Sequence, residues 1–261
     1  MNTLKKIIFN TFAIGIFALF CAGTIYPCDA LELADFIDAH NLADVYQHDV
    51  RHRLTKSGIP DPYAPLGMQD LDPHQAHIIR SIIATLPGIP FDINTIAIKA
   101  ARDPDYTGDA FSCFGINSTQ SGQLELRTTR VIFIGARHID ALLSNNDNEL
   151  YERLRFSIAH EIGHLVLDHI FFNIKKDYEQ ELIQDPAARD TFALQQAKTR
   201  RLQELQADRW AMQALNTAEG AITEFRFRLL SQNGQDLDIG QDPYLKHPPL
   251  TYRLMQALKF A

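Results

Sequence analysis

The sequence predicts an α+β fold that is mainly helical, with a small antiparallel sheet packed against one central helix. Three observations predict it. Amphipathic segments with helical spacing occupy both ends of the chain, and β-branched runs of strand length are confined to roughly residues 93 to 143. A long, largely apolar helical segment with two histidines then follows. With 261 residues and 46% hydrophobic content, the chain can bury a substantial core.

The first thirty residues have the pattern of an export signal. Lys5 and Lys6 precede an apolar run, and the small residues Cys28 and Ala30 suit cleavage after position 30. We expect residues 1–30 to be a signal peptide, with an uncleaved N-terminal anchor as the alternative. The first interpretation predicts an exported protein, periplasmic or otherwise extracytoplasmic. The second predicts membrane proximity through the N-terminus.

Two helical segments precede the predicted sheet. Residues 31–57 are amphipathic, and a second helix is expected from about Asp72, which can cap it, with Pro73 in the first turn. We therefore divide the rest of the chain into an N-terminal helical region, residues 31–90, and a second domain, residues 91–261.

The sheet is predicted from two β-branched runs, "INTIAIKA" and "RVIFIGA", with the shorter "DAFSCFGI" and "GQLELRT" between turn signals. The next helix is expected to begin near Glu149, with Asp147 or Asn148 as its cap, and to run to about Phe172. Helical segments are expected to continue to about Leu230, followed by a loop and a short last helix.

The stretch "FSIAHEIGHLVLDH" carries the chemistry of the chain. His160 and His164 are four residues apart and share one face of a helix, with Glu161 one step further round. Catalytic zinc takes three protein ligands and keeps one position open for water. Glu161 can take a proton from that zinc-bound water as it attacks a peptide carbonyl. The alternative is a helix face that happens to carry polar residues.

A third zinc ligand must come from elsewhere in the chain, and "RRLQELQADRWAMQAL" offers one. We predict Glu204 as the third ligand and Asp208, four residues later, as the acceptor for the free ring N–H of a ligand histidine. Ala207 and Ala211 on the same helix are small enough to let two helices approach closely. The alternative is a solvated face beside the neighbouring arginines. One zinc ion per chain is expected.

HEIGH followed by ExxAD resembles the gluzincin metallopeptidases, and the wider order of motifs resembles the family of HtpX and the CAAX prenyl endopeptidases. The matching segments are "DAFSCF", "VIFIGARHIDALL", "HEIGHLVLDH", "ELQAD" and "HPPLTYR", over roughly residues 90 to 258. The resemblance implies a zincin-like metallopeptidase domain over residues 91–261, zinc ligands His160, His164 and Glu204, and Glu161 as the general base. Asp109, where that family usually has Asn, is a departure.

A second group of gluzincins is also similar. "RLRFSIAHEIGHLVLDH" resembles the ImmA/IrrE-type metallopeptidases, although the export signal and the "HPPLTYR" segment count against that group. Both resemblances imply the same zinc site.

The resemblance singles out two further residues in "HPPLTYR". His247 could approach the metal or the substrate oxyanion, or mask the site at rest; the alternative is a loop histidine held by the two prolines that follow it. Arg253 could stabilise an oxyanion, or form a structural ion pair.

The strand "RVIFIGA" is a candidate for substrate binding, because zinc proteases of this general plan bind an extended peptide along a sheet edge. The alternative is an ordinary core strand. The candidate residues are Val131, Ile132, Phe133, Ile134 and Gly135.

The expected function is that of a zinc-dependent metalloendopeptidase acting on exported or misfolded proteins, with protein or peptide substrates as partners. The alternative is a gated chaperone or assembly factor that binds substrate proteins with little proteolysis. Glu161 favours the enzyme, since a binding module has no need of a general base. The net charge of −7, with no basic arm, argues against nucleic acid as a partner.

Overall fold

The computed structural model describes residues 69–101, 110–118, 124–135, 147–231, 236 and 242–261. The predicted signal peptide, the helix predicted over residues 31–57 and Asp109 lie outside the described residues. Within the described ranges, no helix has both the length and the apolar character that a membrane span requires.

The described residues form six α-helices, one short 3₁₀-helix (Ile93–Thr95) and four strands, so the expectation of a mainly helical α+β fold is confirmed. The strands are β1 (Gln69–Asp70), β2 (Ala97–Ala101), β3 (Ala110–Ser118) and β4 (Leu124–Gly135). The helices are α1 (Pro73–Thr85), α2 (Asn148–Val166), α3 (His169–Glu181), α4 (Pro186–Leu215), α5 (Glu219–Ser231) and α6 (Leu250–Phe260).

The sheet is mixed, with the strand order β1-β2-β4-β3. Strands β2 and β4 are parallel, whereas both outer pairings are antiparallel. The prediction of an antiparallel sheet is therefore wrong for the central pair. The reason is topological: β3 folds back onto β4 as an antiparallel neighbour, and β2 adds to the other side of β4, where it runs in the same direction.

Strand β4 is internal, which contradicts its predicted role as a substrate-binding edge. Val131 pairs with Ala97 of β2 on one side and with Cys113 of β3 on the other. A continuous apolar, β-branched run is typical of a strand buried on both faces and flanked by neighbours. The correction applies to Val131, Ile132, Phe133, Ile134 and Gly135, which are all buried. Among the described strands, β3 is the outer one on this side.

Two helix starts predicted from the sequence are confirmed by their caps. The Asp72 side chain accepts a hydrogen bond from the backbone N–H of His74, and Gln75 completes a capping box at the start of α1. Asp147 caps α2 through the backbone N–H of Glu149, 2.8 Å from its Oδ1.

Helix α2 ends at Val166, before the predicted end near Phe172 by about one and two-thirds turns. Asp168 adopts the left-handed conformation with φ of 53°, and α3 begins at His169. A single Asp tolerates this conformation better than most residues, because its short polar side chain can bond locally. The break gives α3 its own axis, with consequences for His169 described below.

Helix α2 lies at the centre of the described fold and contacts α4, α5, α1 and β3. Its apolar face, including Ile158 and Ile162, is fully buried in a core that also contains Ile79 and Ile82 of α1. Part of the region assigned to residues 31–90 therefore shares its core with the later residues.

Candidate metal centre

The site forms where α2 and α4 pack closely against each other at Gly163 and Ala207. A Cβ atom on Gly163 would lie 3.3 Å from both the Cα and the carbonyl oxygen of Ala207. Ala207 and Ala211 are fully buried, as expected of small residues that let two helices pack closely. The interior glycine thus allows the backbone contact that sets the distance between the two helices.

This contact brings together the three residues predicted as ligands. His160 Nε2 and His164 Nε2 are 3.1 Å apart. Glu204 reaches them from α4, with Oε2 at 3.5 Å from His160 Nε2 and Oε1 at 3.4 Å from His164 Nε2. One donor atom from each residue lies within 4.8 Å of the other two, so this group could hold a metal ion.

The spacing fits a small tetrahedral ion. Metal–ligand bonds of about 2.0–2.1 Å place the ligands of such an ion about 3.4 Å apart. The measured separations of 3.1, 3.4 and 3.5 Å lie close to that value. Two imidazole nitrogens and one carboxylate are donors of the kind that zinc accepts.

Asp208 lies where the sequence predicts it, behind the His160 ring. Its Oδ1 is 2.9 Å from His160 Nδ1, the nitrogen that points away from Glu204. The angle falls short of hydrogen-bond geometry, although the distance allows one. A small rotation of the ring would align the N–H with the carboxylate, as is usual behind metal-bound histidines.

Arg253 is the partner that holds Asp208 in place. Its Nε and Nη2 donate to Asp208 Oδ2 and Oδ1 at 2.7 and 2.6 Å, and its Nη1 lies 3.5 Å from Glu204 Oε2. Arg253 is only 5% exposed, and its guanidinium stacks over the Phe225 ring at 4.7 Å. These contacts favour the structural ion pair over the role of oxyanion stabiliser, because the guanidinium is buried and already bonded to Asp208.

His247 lies on the solvent side of the same carboxylate. Its Nδ1 is 3.2 Å from Glu204 Oε2, and its side chain is 62% exposed. The structure thus places it beside the predicted ligand and open to solvent, consistent with a position at the rim of the site.

Glu161, the predicted general base, directly follows His160 on α2 and is buried.

The carboxylates make the site electrically suited to a cation. Burial acts to lower the pKa of His160, but Asp208 and Glu204 outweigh it and raise that pKa to about 10. Burial acts to raise the pKa of Glu204, but contacts with His160, His164 and His247 hold it well below its usual value. Both shifts mean that the carboxylates favour a positive charge at this position.

Sequence reasoning underestimated one part of the site. His169 Nδ1 lies 3.0 Å from His164 Nδ1, and His169 Nε2 lies 3.1 Å from Gln206 Oε1. Burial, and then the charge on His164, lower the pKa of His169 to about 3. Spacing on one continuous helix would point His169 away from the face that carries His160 and His164, and nothing in the sequence gave a reason to select Gln206.

Comparison of the chain with protein-family models, with curated proteins and with solved structures gave no match.

Proposed function

We propose that this protein is a zinc-dependent metalloendopeptidase of the gluzincin type, with a zincin-like domain over residues 91–261. One observation carries the proposal. Two imidazole nitrogens from α2 and a carboxylate from α4 converge at separations of 3.1 to 3.5 Å, the spacing expected of ligands around one tetrahedral ion.

The donor set favours a catalytic ion over a structural one. Structural zinc sites usually have four protein ligands, often cysteines, whereas this group supplies three and none is Cys. Calcium and magnesium prefer oxygen ligands throughout. Non-haem iron also uses two histidines and one carboxylate, so metal analysis must identify the ion. Glu161, next to a ligand and buried, favours hydrolysis and hence zinc.

In the proposed reaction a water molecule attacks a peptide carbonyl and the C–N bond breaks. A bound zinc ion would polarise the carbonyl and make the water more acidic. Glu161 accepts the proton that the water loses and passes it to the leaving nitrogen. Asp208 and Arg253 hold the His160 ring in place, with no direct contact to the substrate.

The substrate would be an extended segment of a protein or peptide. Because β4 is internal, the strand in a position to pair with such a segment is β3, the outer strand beside α2. An extended peptide that adds to a sheet edge gains main-chain hydrogen bonds whatever its sequence. This mode of binding suits exported or misfolded proteins, the substrate class that the N-terminal signal suggests.

The test is metal content and proteolysis, measured together. We expect one equivalent of zinc in the purified chain, cleavage of a disordered protein such as casein, and loss of both in Glu204→Ala. Glu179→Ala is the matched control, since Glu179 pairs with Lys176 on the surface of α3. Little zinc in the wild type, or zinc unaffected by Glu204→Ala, would contradict the proposed function. The HEIGH motif would then be an ordinary helix face that carries polar residues.

A further inference from the structure

The two ring nitrogens of His164 have different neighbours. Nε2 faces His160 and Glu204, whereas Nδ1 lies 3.0 Å from Nδ1 of His169. The other nitrogen of His169, Nε2, lies 3.1 Å from Oε1 of Gln206. One line of contacts therefore runs from Gln206 on α4, through His169 on α3, to Nδ1 of His164 on α2, the ring nitrogen opposite the candidate donor atom Nε2.

The chemistry of the groups gives this line a direction. A side-chain amide oxygen can only accept, so the His169 nitrogen facing Gln206 carries the hydrogen. A neutral imidazole has one N–H, and His169 Nδ1 is therefore an acceptor. A neutral His164 must then donate from Nδ1, so its Nε2, which faces His160 and Glu204, carries a lone pair and no hydrogen.

We propose that His169 and Gln206 are a positioning pair that holds His164 in the tautomer with a hydrogen on Nδ1 and a free Nε2. The consequence for metal binding rests on the proposed function. The tautomer does not, because it concerns the ring before any ion binds.

The helix break at Asp168 makes the contact available. On a continuous helix, His169 would lie about 140° round the axis from His164, since five residues advance the chain by that angle beyond one full turn. With φ of 53° at Asp168, α2 ends and α3 begins on a new axis, and the His169 ring meets the back of His164. His169 is buried and Gln206 is exposed, so changes at Gln206 leave the core intact.

The direction depends on which end of the amide faces His169. If the NH₂ group of residue 206 faced the ring, every donor and acceptor would reverse, and the hydrogen would lie on His164 Nε2, where it blocks metal binding. Gln206→Glu presents only acceptors and keeps the direction. Gln206→Met has a similar shape but sets no direction.

The first experiment is a long-range ¹H–¹⁵N spectrum of the histidine rings in the metal-free full-length chain at a pH of about 8, where an ordinary histidine is neutral. We expect His164 to carry its hydrogen on Nδ1 in the wild type and in Gln206→Glu. A mixture of tautomers is expected in Gln206→Met and His169→Phe. The same tautomer population in Gln206→Met as in the wild type would overturn the proposal.

The second experiment is zinc affinity by chelator competition. Loss of a group that orients a ligand histidine typically weakens metal binding about 10–100-fold, and we expect this range for Gln206→Met and His169→Phe. His169→Asn should recover most of the loss, since its amide oxygen can accept from His164 Nδ1. Gln213→Met, an exposed site on the same helix, is the matched control.

The two experiments separate the two proposals. If the wild type binds no zinc, the proposed function fails, while the spectrum still decides the tautomer. If zinc binds but Gln206→Met binds it as tightly as the wild type does, the positioning role is wrong and the proposed function stands. Should His169→Phe fail to fold, the Gln206 variants decide alone.

Discussion

Arg253 and Asp208 form a buried two-point ion pair that joins α6 to α4 behind the His160 ring. Nε and Nη2 of Arg253 donate to the carboxylate at 2.7 and 2.6 Å, and Oδ1 of the same carboxylate lies 2.9 Å from His160 Nδ1. One carboxylate thus contacts both a cation on the last helix and a candidate ligand histidine. Through this ion pair, α6 contacts the candidate metal centre although it carries none of the three candidate ligands.

Asp208→Asn should therefore weaken both the fold and the site. Breaking this buried ion pair leaves Arg253 with only the more distant Glu204 carboxylate, 3.5 Å from its Nη1, as a counter-charge, and the loss of a buried ion pair costs about 3–5 kcal/mol of unfolding free energy. Zinc affinity should fall about 10–100-fold, because an amide that Arg253 no longer holds in a two-point ion pair orients the His160 ring less well than the carboxylate does. Urea unfolding and chelator competition measure the two effects.

The control for Asp208→Asn is Asp177→Asn. It makes the same change in a different carboxylate, which pairs with an arginine of α4. Arg200 donates to Asp177 at 2.6 and 2.7 Å, and neither residue is a candidate ligand. We expect its zinc affinity to equal that of the wild type. An equal loss of zinc in both variants would mean that Asp208 acts only through general stability.

Glu161→Gln should separate metal binding from hydrolysis. The amide keeps the shape of the side chain but cannot accept a proton, so zinc content should stay near one equivalent while cleavage falls about 10²–10⁴-fold. Glu152→Gln on the same helix, where Glu152 pairs with Arg155, should leave both unchanged. Cleavage that persists in Glu161→Gln would contradict its role as general base and revive a binding or chaperone function.

The metal-free chain should lose stability as the pH rises above 6.5. The pKa of His160 is raised from 6.5 to about 10, because Asp208 and Glu204 outweigh the opposing effect of burial. The folded state therefore binds this proton more tightly than the unfolded state. The resulting stabilisation is complete below pH 6.5 and is lost as the pH rises towards 10. Urea unfolding with a chelator, at a series of pH values, measures this loss.

The acid side has the opposite sign. Burial and the charge on His164 lower the pKa of His169 from 6.5 to about 3, so its contribution is present above pH 6.5 and is lost as the pH falls towards 3. The depressed pKa values of Glu204 and Asp208 act in the same direction.

Two changes test the loss of stability between pH 6.5 and 10. Asp208→Asn should make this loss smaller, and saturating zinc should reverse it, because the metal displaces the His160 proton. Stability independent of pH between 6.5 and 10 would contradict the raised pKa.

Gly163→Ala should destabilise the chain, although Ala is the better helix former. In an exposed helix interior this change would stabilise by about 1 kcal/mol. At position 163, however, the new Cβ would lie 3.3 Å from backbone atoms of Ala207, which cannot move without shifting α4. Pushing the helices apart would also carry Glu204 away from the two histidines, so zinc affinity should fall. An increase in the unfolding free energy would show that the contact is looser than the structure indicates.

The candidate ligands could be recognised from sequence because helical geometry is local. His160 and His164 are four residues apart, and residues at that spacing share one face of a helix in any context. The caps at Asp72 and Asp147 follow in the same way, since a cap depends only on its own first turn. Glu204 and Asp208 could be paired with the motif because a three-ligand site needs a donor from outside its helix.

Other parts of the site depend on contacts between elements that are distant in sequence. Whether β4 lies inside the sheet or at its edge depends on which strands pair with it, and its own residues predict only that it is buried. Arg253 is 45 residues from Asp208, and nothing in either segment indicates that they meet. His169 faces His164 only because the chain turns at Asp168, a change in helix axis that periodicity does not report. Local spacing thus predicts which atoms of one helix point the same way, whereas the packing of α2, α3, α4 and α6 decides which groups lie behind each ligand.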